Sequence, residues 1–196
     1  GLSGCATFTS EESPDTETPT PPNCESPESR HIELTETKEV PDQAKFSISA
    51  RIEHSHPKDD RPAVLEIILQ NEGSSREIAF PNNSKCHPFN RQQGFSDPRG
   101  LRLYFQADTP DERVAPCWTR NAVPYERNPG WDGYGCPQSA IGSGKAVTYS
   151  YEMWDDFRTD GYMSVGTYRF TADQLNMADD DHFDWWLEVE VTNPDQ

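Results

Sequence analysis

Five cysteines carry the chemistry that this sequence displays most openly: Cys5, Cys24, Cys86, Cys117 and Cys136. Thiols form disulfides, bind soft metals or carry covalent lipid. No C-x-x-C pair occurs, which argues against a zinc site or a thioredoxin-type centre. Without Cys5, four cysteines remain, which is enough for two disulfides in one of three connectivities.

Our preferred pairing joins Cys117 to Cys136, because these two bracket one segment rich in proline and glycine. Cys24 would then pair with Cys86 and pin the N-terminal segment to the rest of the chain. The alternative is that some of these cysteines are free, buried thiols.

The first residues, Leu2-Ser3-Gly4-Cys5, resemble the lipobox that ends the signal peptide of bacterial and archaeal lipoproteins. The resemblance implies cleavage before Cys5 and a lipid on its thiol. We read a chain that begins with Gly1 as a processed product whose leader lies upstream. The alternative is an ordinary cysteine near a chain terminus. No run approaches the ~20 apolar residues of a transmembrane helix, so lipid would provide the anchor.

Other groups with chemical potential are weaker. His54 and His56 lie two positions apart with Asp59 and Asp60 nearby, but Pro57 ends the strand and no third ligand is in register. The acidic run 179–181 lacks the spacing of a calcium-binding EF-hand. No G-x-S-x-G, H-E-x-x-H, G-x-G-x-x-G or P-loop motif occurs. We therefore predict no metal, no cofactor and no enzymatic activity.

The net charge is −17, and both the N-terminal segment and the rest of the chain contribute to it. Arginine outnumbers lysine, and the acidic surface resembles that of proteins from extreme halophiles. A protein that binds nucleic acid needs a basic surface, so nucleic acid is excluded as a partner. An anionic membrane would also repel such a body, which again leaves lipid as the anchor.

Residues 6–42 are acidic and rich in proline and threonine, with few large apolar side chains. Such a segment cannot bury enough surface to offset its ordering entropy. We predict a disordered stalk over this range and a folded domain over residues 43–196. The density of serine and threonine also suits O-glycosylation.

The domain shows the period-two alternation of β-strands with one buried face. Seven segments carry it: 46–52, 63–69, 78–80, 101–105, 147–153, 165–171 and 187–191. One short helical turn is expected over 172–177. Several short strands separated by turns predict an all-β, immunoglobulin-like sandwich of about seven strands.

Residues 107–144 form an unusually long connection between two of these strands. The connection contains four large aromatic residues, which are candidates for a weak binding surface: Trp118, Tyr125, Trp131 and Tyr134. The alternative is a lid, closed by a disulfide, whose aromatic side chains pack inward. Between two earlier strands, Asn82-Asn83-Ser84 is an acceptor motif for N-glycosylation at Asn82.

The second half of the domain is similar to a known family. Trp154-Asp155 ends one predicted strand, and Gly166-Thr167-Tyr168 starts the next. This pattern resembles the intracellular proteinase inhibitor (BsuPI-type) family of immunoglobulin-like domains. The resemblance implies the fold, and it implies protease inhibition less directly, because this chain has additional cysteines and a long insertion.

These features predict a lipid-anchored protein on the extracellular face of the cell membrane. We expect a non-enzymatic binding or structural module of the cell envelope, with an envelope protein as its partner. The first alternative is a proteinase inhibitor whose partner is a protease. The second is a carbohydrate-binding or hydrolytic surface protein that uses the aromatic residues of the long connection.

Overall fold

The computed structural model of the chain describes residues 24–78, 87–90, 94–121, 139–176 and 182–194. These residues form nine strands and no α-helix. The strands are β1 (His31–Thr37), β2 (Phe46–Glu53), β3 (Ala63–Asn71), β4 (Arg76–Ile78), β5 (Leu101–Phe105), β6 (Ser139–Ile141), β7 (Ala146–Asp155), β8 (Gly166–Asn176) and β9 (His182–Thr192).

Seven of the strands form two antiparallel sheets that pack as a sandwich. One sheet has the order β1-β9-β8 and the other the order β2-β3-β7-β5, while β4 and β6 form a separate ribbon. In immunoglobulin-type sandwiches the four-stranded sheet has the order A-B-E-D. The strands β2, β3, β7 and β5 follow that order, whereas the other sheet has β9 between β1 and β8 instead of the C-F-G order. The two packed antiparallel sheets confirm the predicted fold class, an all-β sandwich.

The alternation read from the sequence corresponds to the buried and solvent faces of the strands. In β3, Leu65, Ile67 and Leu69 are almost fully buried, and the residues between them are less so. Leu65 lies opposite Tyr151 on β7, and Ile67 lies opposite Tyr149. A slip of one residue would turn all of these side chains to the other face, so the pattern fixes the register.

Aromatic side chains fill the space between the two sheets. The ring centroid of Phe89 lies 5.6 Å from that of Tyr151, 6.1 Å from that of Phe170 and 6.3 Å from that of Trp185. The first two contacts are edge-on, which is a favoured geometry for aromatic pairs. His87 stacks on Phe105 with the ring centroids 4.6 Å apart. Burial lowers the pKa of this imidazole to about 4.

Tyr168, in the Gly-Thr-Tyr motif at the start of β8, forms a tyrosine corner. Its hydroxyl donates a hydrogen bond to the carbonyl oxygen of Ser164 at 2.5 Å. Its ring also lies against the backbone of Gly100, where a β-carbon would come within 2.4 Å of the ring. This contact explains why Gly100 lacks a side chain.

The prediction of a disordered stalk as far as residue 42 is wrong for the residues of β1. Ile32 is fully buried and lies opposite Val191 on β9. The folded domain therefore begins well before residue 43. The acidic and threonine-rich composition concealed a strand with only two large apolar residues, Ile32 and Leu34.

Two smaller expectations also need correction. A helical turn was expected over 172–177, but β8 continues through Asn176 and pairs with β9 across a bulge. Residues 107–144 were read as one long connection between two predicted strands, but they contain β6, which pairs with β4.

Candidate functional site

The N-terminal segment meets the sandwich at a group of residues that we call the junction: Cys24, Arg30, Cys117, Asp155 and Tyr162. Cys24 and Cys117 form a disulfide with their α-carbons 6.2 Å apart and 93 residues apart in sequence. The bond fastens the first described residue to the connection that follows β5. The preferred pairings, Cys117 with Cys136 and Cys24 with Cys86, are therefore wrong.

The connection after β5 folds back onto the sandwich beside this disulfide. Trp118 is only 8% exposed, and its indole N–H donates to the carbonyl oxygen of Lys58 at 2.7 Å. Its ring packs edge-on against Trp154 at 5.5 Å, and the guanidinium of Arg113 lies 4.1 Å above it. Trp118 is thus a packing residue, and its prediction as a binding residue is wrong.

Asp155 is a buried carboxylate that ties two loops to the end of β7. Its Oδ2 accepts a hydrogen bond from the Thr119 hydroxyl at 3.0 Å, and its Oδ1 accepts one from the backbone N–H of Met163 at 2.7 Å. Its own backbone N–H donates to the carbonyl oxygen of Trp118 at 2.8 Å. Burial raises the pKa of Asp155 to about 6.

Arg30 connects the residues just before β1 to two other parts of the domain. Its Nε donates to the carbonyl oxygen of Met163 at 2.7 Å, and its Nη1 donates to the Asn193 side chain at 3.0 Å. The segment from Cys24 to Arg30 is therefore held at one end by a disulfide and at the other by charge-assisted hydrogen bonds. Such bonds are stronger than neutral ones.

An open depression of about 290 Å³ lies over the junction. Its lining is mainly polar: Cys24, Glu25, Ser26, Ser29, Arg30 and Tyr162. The side chains offer hydrogen bonds, the positive charge of Arg30 and the negative charge of Glu25. They do not include the paired nucleophile and base that covalent catalysis needs. The arrangement is suited to fastening one segment to another.

Several predicted site residues lie outside the part of the chain that the structure describes. They are the lipidation candidate Cys5, the cysteines Cys86 and Cys136, the aromatics Tyr125, Trp131 and Tyr134, and the glycosylation candidate Asn82. Within the described ranges, no group of three histidine, cysteine or acidic side chains is placed to hold a metal ion.

Sequence reasoning assigned no functional role to three residues of the junction, Arg30, Asp155 and Tyr162. Asp155 had a signal, since an acidic residue after a buried tryptophan at the end of a strand is well placed to accept backbone hydrogen bonds. Nothing in the sequence pointed to Arg30, because its hydrogen-bond partners Met163 and Asn193 are distant in sequence.

Comparisons of the chain with protein-family models, curated proteins and solved structures found no match. Among the residues that the structure describes, none belongs to a helix long and apolar enough to cross a membrane.

Proposed function

We propose that this chain is a non-enzymatic module of the cell envelope, held to the membrane by lipid on Cys5. In this account the sandwich stands on the extracellular face. The observation that carries the proposal is the Cys24–Cys117 disulfide. Disulfides persist in oxidising compartments, as on cell surfaces, and are rare in the cytosol. The bond therefore supports export, which a lipid on Cys5 requires.

The position of the disulfide supports the proposal as well. Fully extended, the chain from Cys5 to Cys24 reaches at most about 65 Å, at ~3.4 Å per residue. We call the chain from Cys5 to Cys24 the tether. A force applied along it acts on the described part of the chain first at Cys24. The covalent bond to Cys117 gives the force a second path into the sandwich, beside the path along the chain to β1 and its hydrogen bonds with β9. This arrangement is what a tethered domain needs.

The charge of the chain fits the same account. With a net charge of −17, the protein is repelled by anionic lipid headgroups. A lipid anchor with an acidic body holds the domain near the membrane without adsorbing it. The charge also argues against nucleic acid as a partner.

Each of the two alternatives has lost one feature on which it depended. The inhibitor hypothesis used a rigid loop closed by a bond between Cys117 and Cys136, but Cys117 pairs with Cys24. The carbohydrate hypothesis used Trp118 as a stacking surface, but that ring is buried. We therefore keep the envelope module as the proposed function.

The test is fractionation of host cells that express the complete reading frame. The unaltered protein is expected in the membrane fraction, released by detergent and not by salt. Cys5→Ser should move it to the soluble fraction or the medium, whereas the matched variant Cys24→Ser should stay with the membrane. The proposal fails if Cys5→Ser is retained like the unaltered protein, or if the unaltered protein is soluble.

A further inference from the structure

Two histidine side chains meet at the edge where the two sheets adjoin. His31 starts β1, and His56 lies in the loop after β2. The Nδ1 of His31 is 3.1 Å from the Nε2 of His56, and the ring centroids are 4.4 Å apart. His56 is exposed and the His31 side chain is 28% exposed, so both nitrogens are open to solvent solutes.

Each remaining ring nitrogen has a side-chain oxygen nearby, and the one beside His56 is within hydrogen-bond distance. The Nε2 of His31 lies 4.0 Å from Oε2 of Glu33, and the Nδ1 of His56 lies 3.3 Å from the Ser55 hydroxyl. Histidines that bind metals usually donate the other ring N–H to a carboxylate or another acceptor, which fixes the tautomer. With a hydrogen on each outer nitrogen, the two inner nitrogens, Nδ1 of His31 and Nε2 of His56, would both present lone pairs to a shared ion.

The backbone holds this geometry in place. The N–H of Ile32 donates to the carbonyl oxygen of Ser55 at 2.8 Å, so the residues next to each histidine are bonded together. The pair joins β1 of the three-stranded sheet to the loop after β2 of the four-stranded sheet. The sequence alone does not bring these residues together, since one starts β1 and the other lies in the loop after β2.

We propose that His31 and His56 form a two-ligand site for a divalent first-row transition metal such as Cu²⁺, Zn²⁺ or Ni²⁺. Imidazole suits these ions. Two ligands at about 2.05 Å from one ion, at angles of about 90–110°, are separated by about 2.9–3.4 Å. The observed 3.1 Å lies in that range. The negative charge of the protein raises the local concentration of cations.

Water or a small chelator supplies the other ligands. Among the described residues no third histidine, cysteine or acidic side chain completes a set of three. The matching probe is therefore Cu²⁺–iminodiacetate, which offers adjacent positions to two imidazoles. Because the ion would bridge the two sheets, its binding stabilises the folded domain over the unfolded chain.

The experiment measures the affinity for Cu²⁺–iminodiacetate by calorimetry, on protein whose free thiols have been alkylated. His31→Asn and His56→Asn should each weaken binding by about tenfold or more, because one ligand of the two is lost. In the unaltered protein, a probe concentration of about 100 times the dissociation constant should raise Tm by about 5–10 °C. Electron paramagnetic resonance should show two imidazole nitrogens, and one in either variant.

The matched control is His54→Asn, which removes an exposed histidine from the same loop. Its backbone has a φ of 57°, which asparagine tolerates. This variant should bind as tightly as the unaltered protein. The proposal is overturned if His54→Asn weakens binding as much as His31→Asn. It is also overturned if folded His31→Asn and His56→Asn, checked by circular dichroism, bind as tightly as the unaltered protein.

Discussion

Two buried ionisable side chains, His87 and Asp155, make the stability of the domain depend on pH in opposite directions. Burial lowers the pKa of His87 from 6.5 to about 4. The contribution of its neutral ring to the stability of the folded domain is therefore complete above pH 6.5 and is lost as pH falls through 4. Burial raises the pKa of Asp155 from 3.8 to about 6, so its contribution is complete below pH 3.8 and lost as pH rises through 6. Between about pH 4 and 6 the two effects oppose each other.

Substituting either Asp155 or His87 should reveal how the other residue makes the stability depend on pH. In Asp155→Asn, the free energy of unfolding should fall more steeply from pH 6 to pH 4 than in the unaltered protein, by about 1.4 kcal/mol per pH unit. In His87→Gln it should shift by a similar amount in the opposite direction. Urea unfolding at pH 4, 5 and 6 measures both slopes.

The control is Asp111→Asn, since Asp111 is exposed. It should have the pH dependence of the unaltered protein. If Asp155→Asn also keeps that dependence, the carboxylate is not titrating in the interior as described here. The sequence shows that Asp155 follows a tryptophan at the end of a predicted strand. The burial of Asp155 and its hydrogen bonds to Thr119 and Met163 depend on the tertiary fold.

At the scale of elements, the sequence predicts strands where alternation is long and local. The predicted strands 46–52, 63–69 and 147–153 match β2, β3 and β7, because each has several apolar residues on one face. β1 was missed because only Ile32 and Leu34 mark it within an acidic, threonine-rich segment. The disulfide was mispaired because nearness in sequence does not decide which cysteines meet in space.

The structure makes β1 part of the domain, and a substitution tests this directly. Ile32 is fully buried between the sheets, so Ile32→Ala should lower the free energy of unfolding by about 2–5 kcal/mol. Glu36→Ala, on the exposed side of the same strand, should change it by less than about 0.5 kcal/mol. Chemical denaturation of the three proteins supplies the comparison. Equal, small effects of both substitutions would place residues 31–37 outside the cooperative unit.

At the scale of the whole molecule, the dominant property is the net charge of −17. Repulsion among carboxylates opposes compaction. Salt screens it, because the Debye length falls from about 10 Å at 0.1 M to about 3 Å at 1 M. The fold class could be predicted from the sequence. The pairing of Cys24 with Cys117 and the meeting of His31 with His56 could not, because each joins residues distant in sequence.

Thermal stability should therefore rise with salt. We expect Tm, measured by circular dichroism, to increase as potassium chloride rises from 0.1 to 1 M. Sucrose at matched osmolarity separates screening of charge from exclusion of solute from the surface. A Tm that stays constant or falls with salt would show that surface repulsion does not limit stability.

We propose that the chain is a lipid-anchored, exported domain, and the Cys24–Cys117 disulfide fastens its N-terminal segment to the sandwich. Peptide mass mapping of the protein from native membranes, with and without reduction, tests it most directly. The account predicts an N-terminal peptide that begins at Cys5 and carries the mass of a lipid. It also predicts a cross-linked peptide that separates on reduction into one part with Cys24 and one with Cys117. A peptide that runs unmodified through Cys5, with Cys24 and Cys117 alkylated as free thiols, would contradict it.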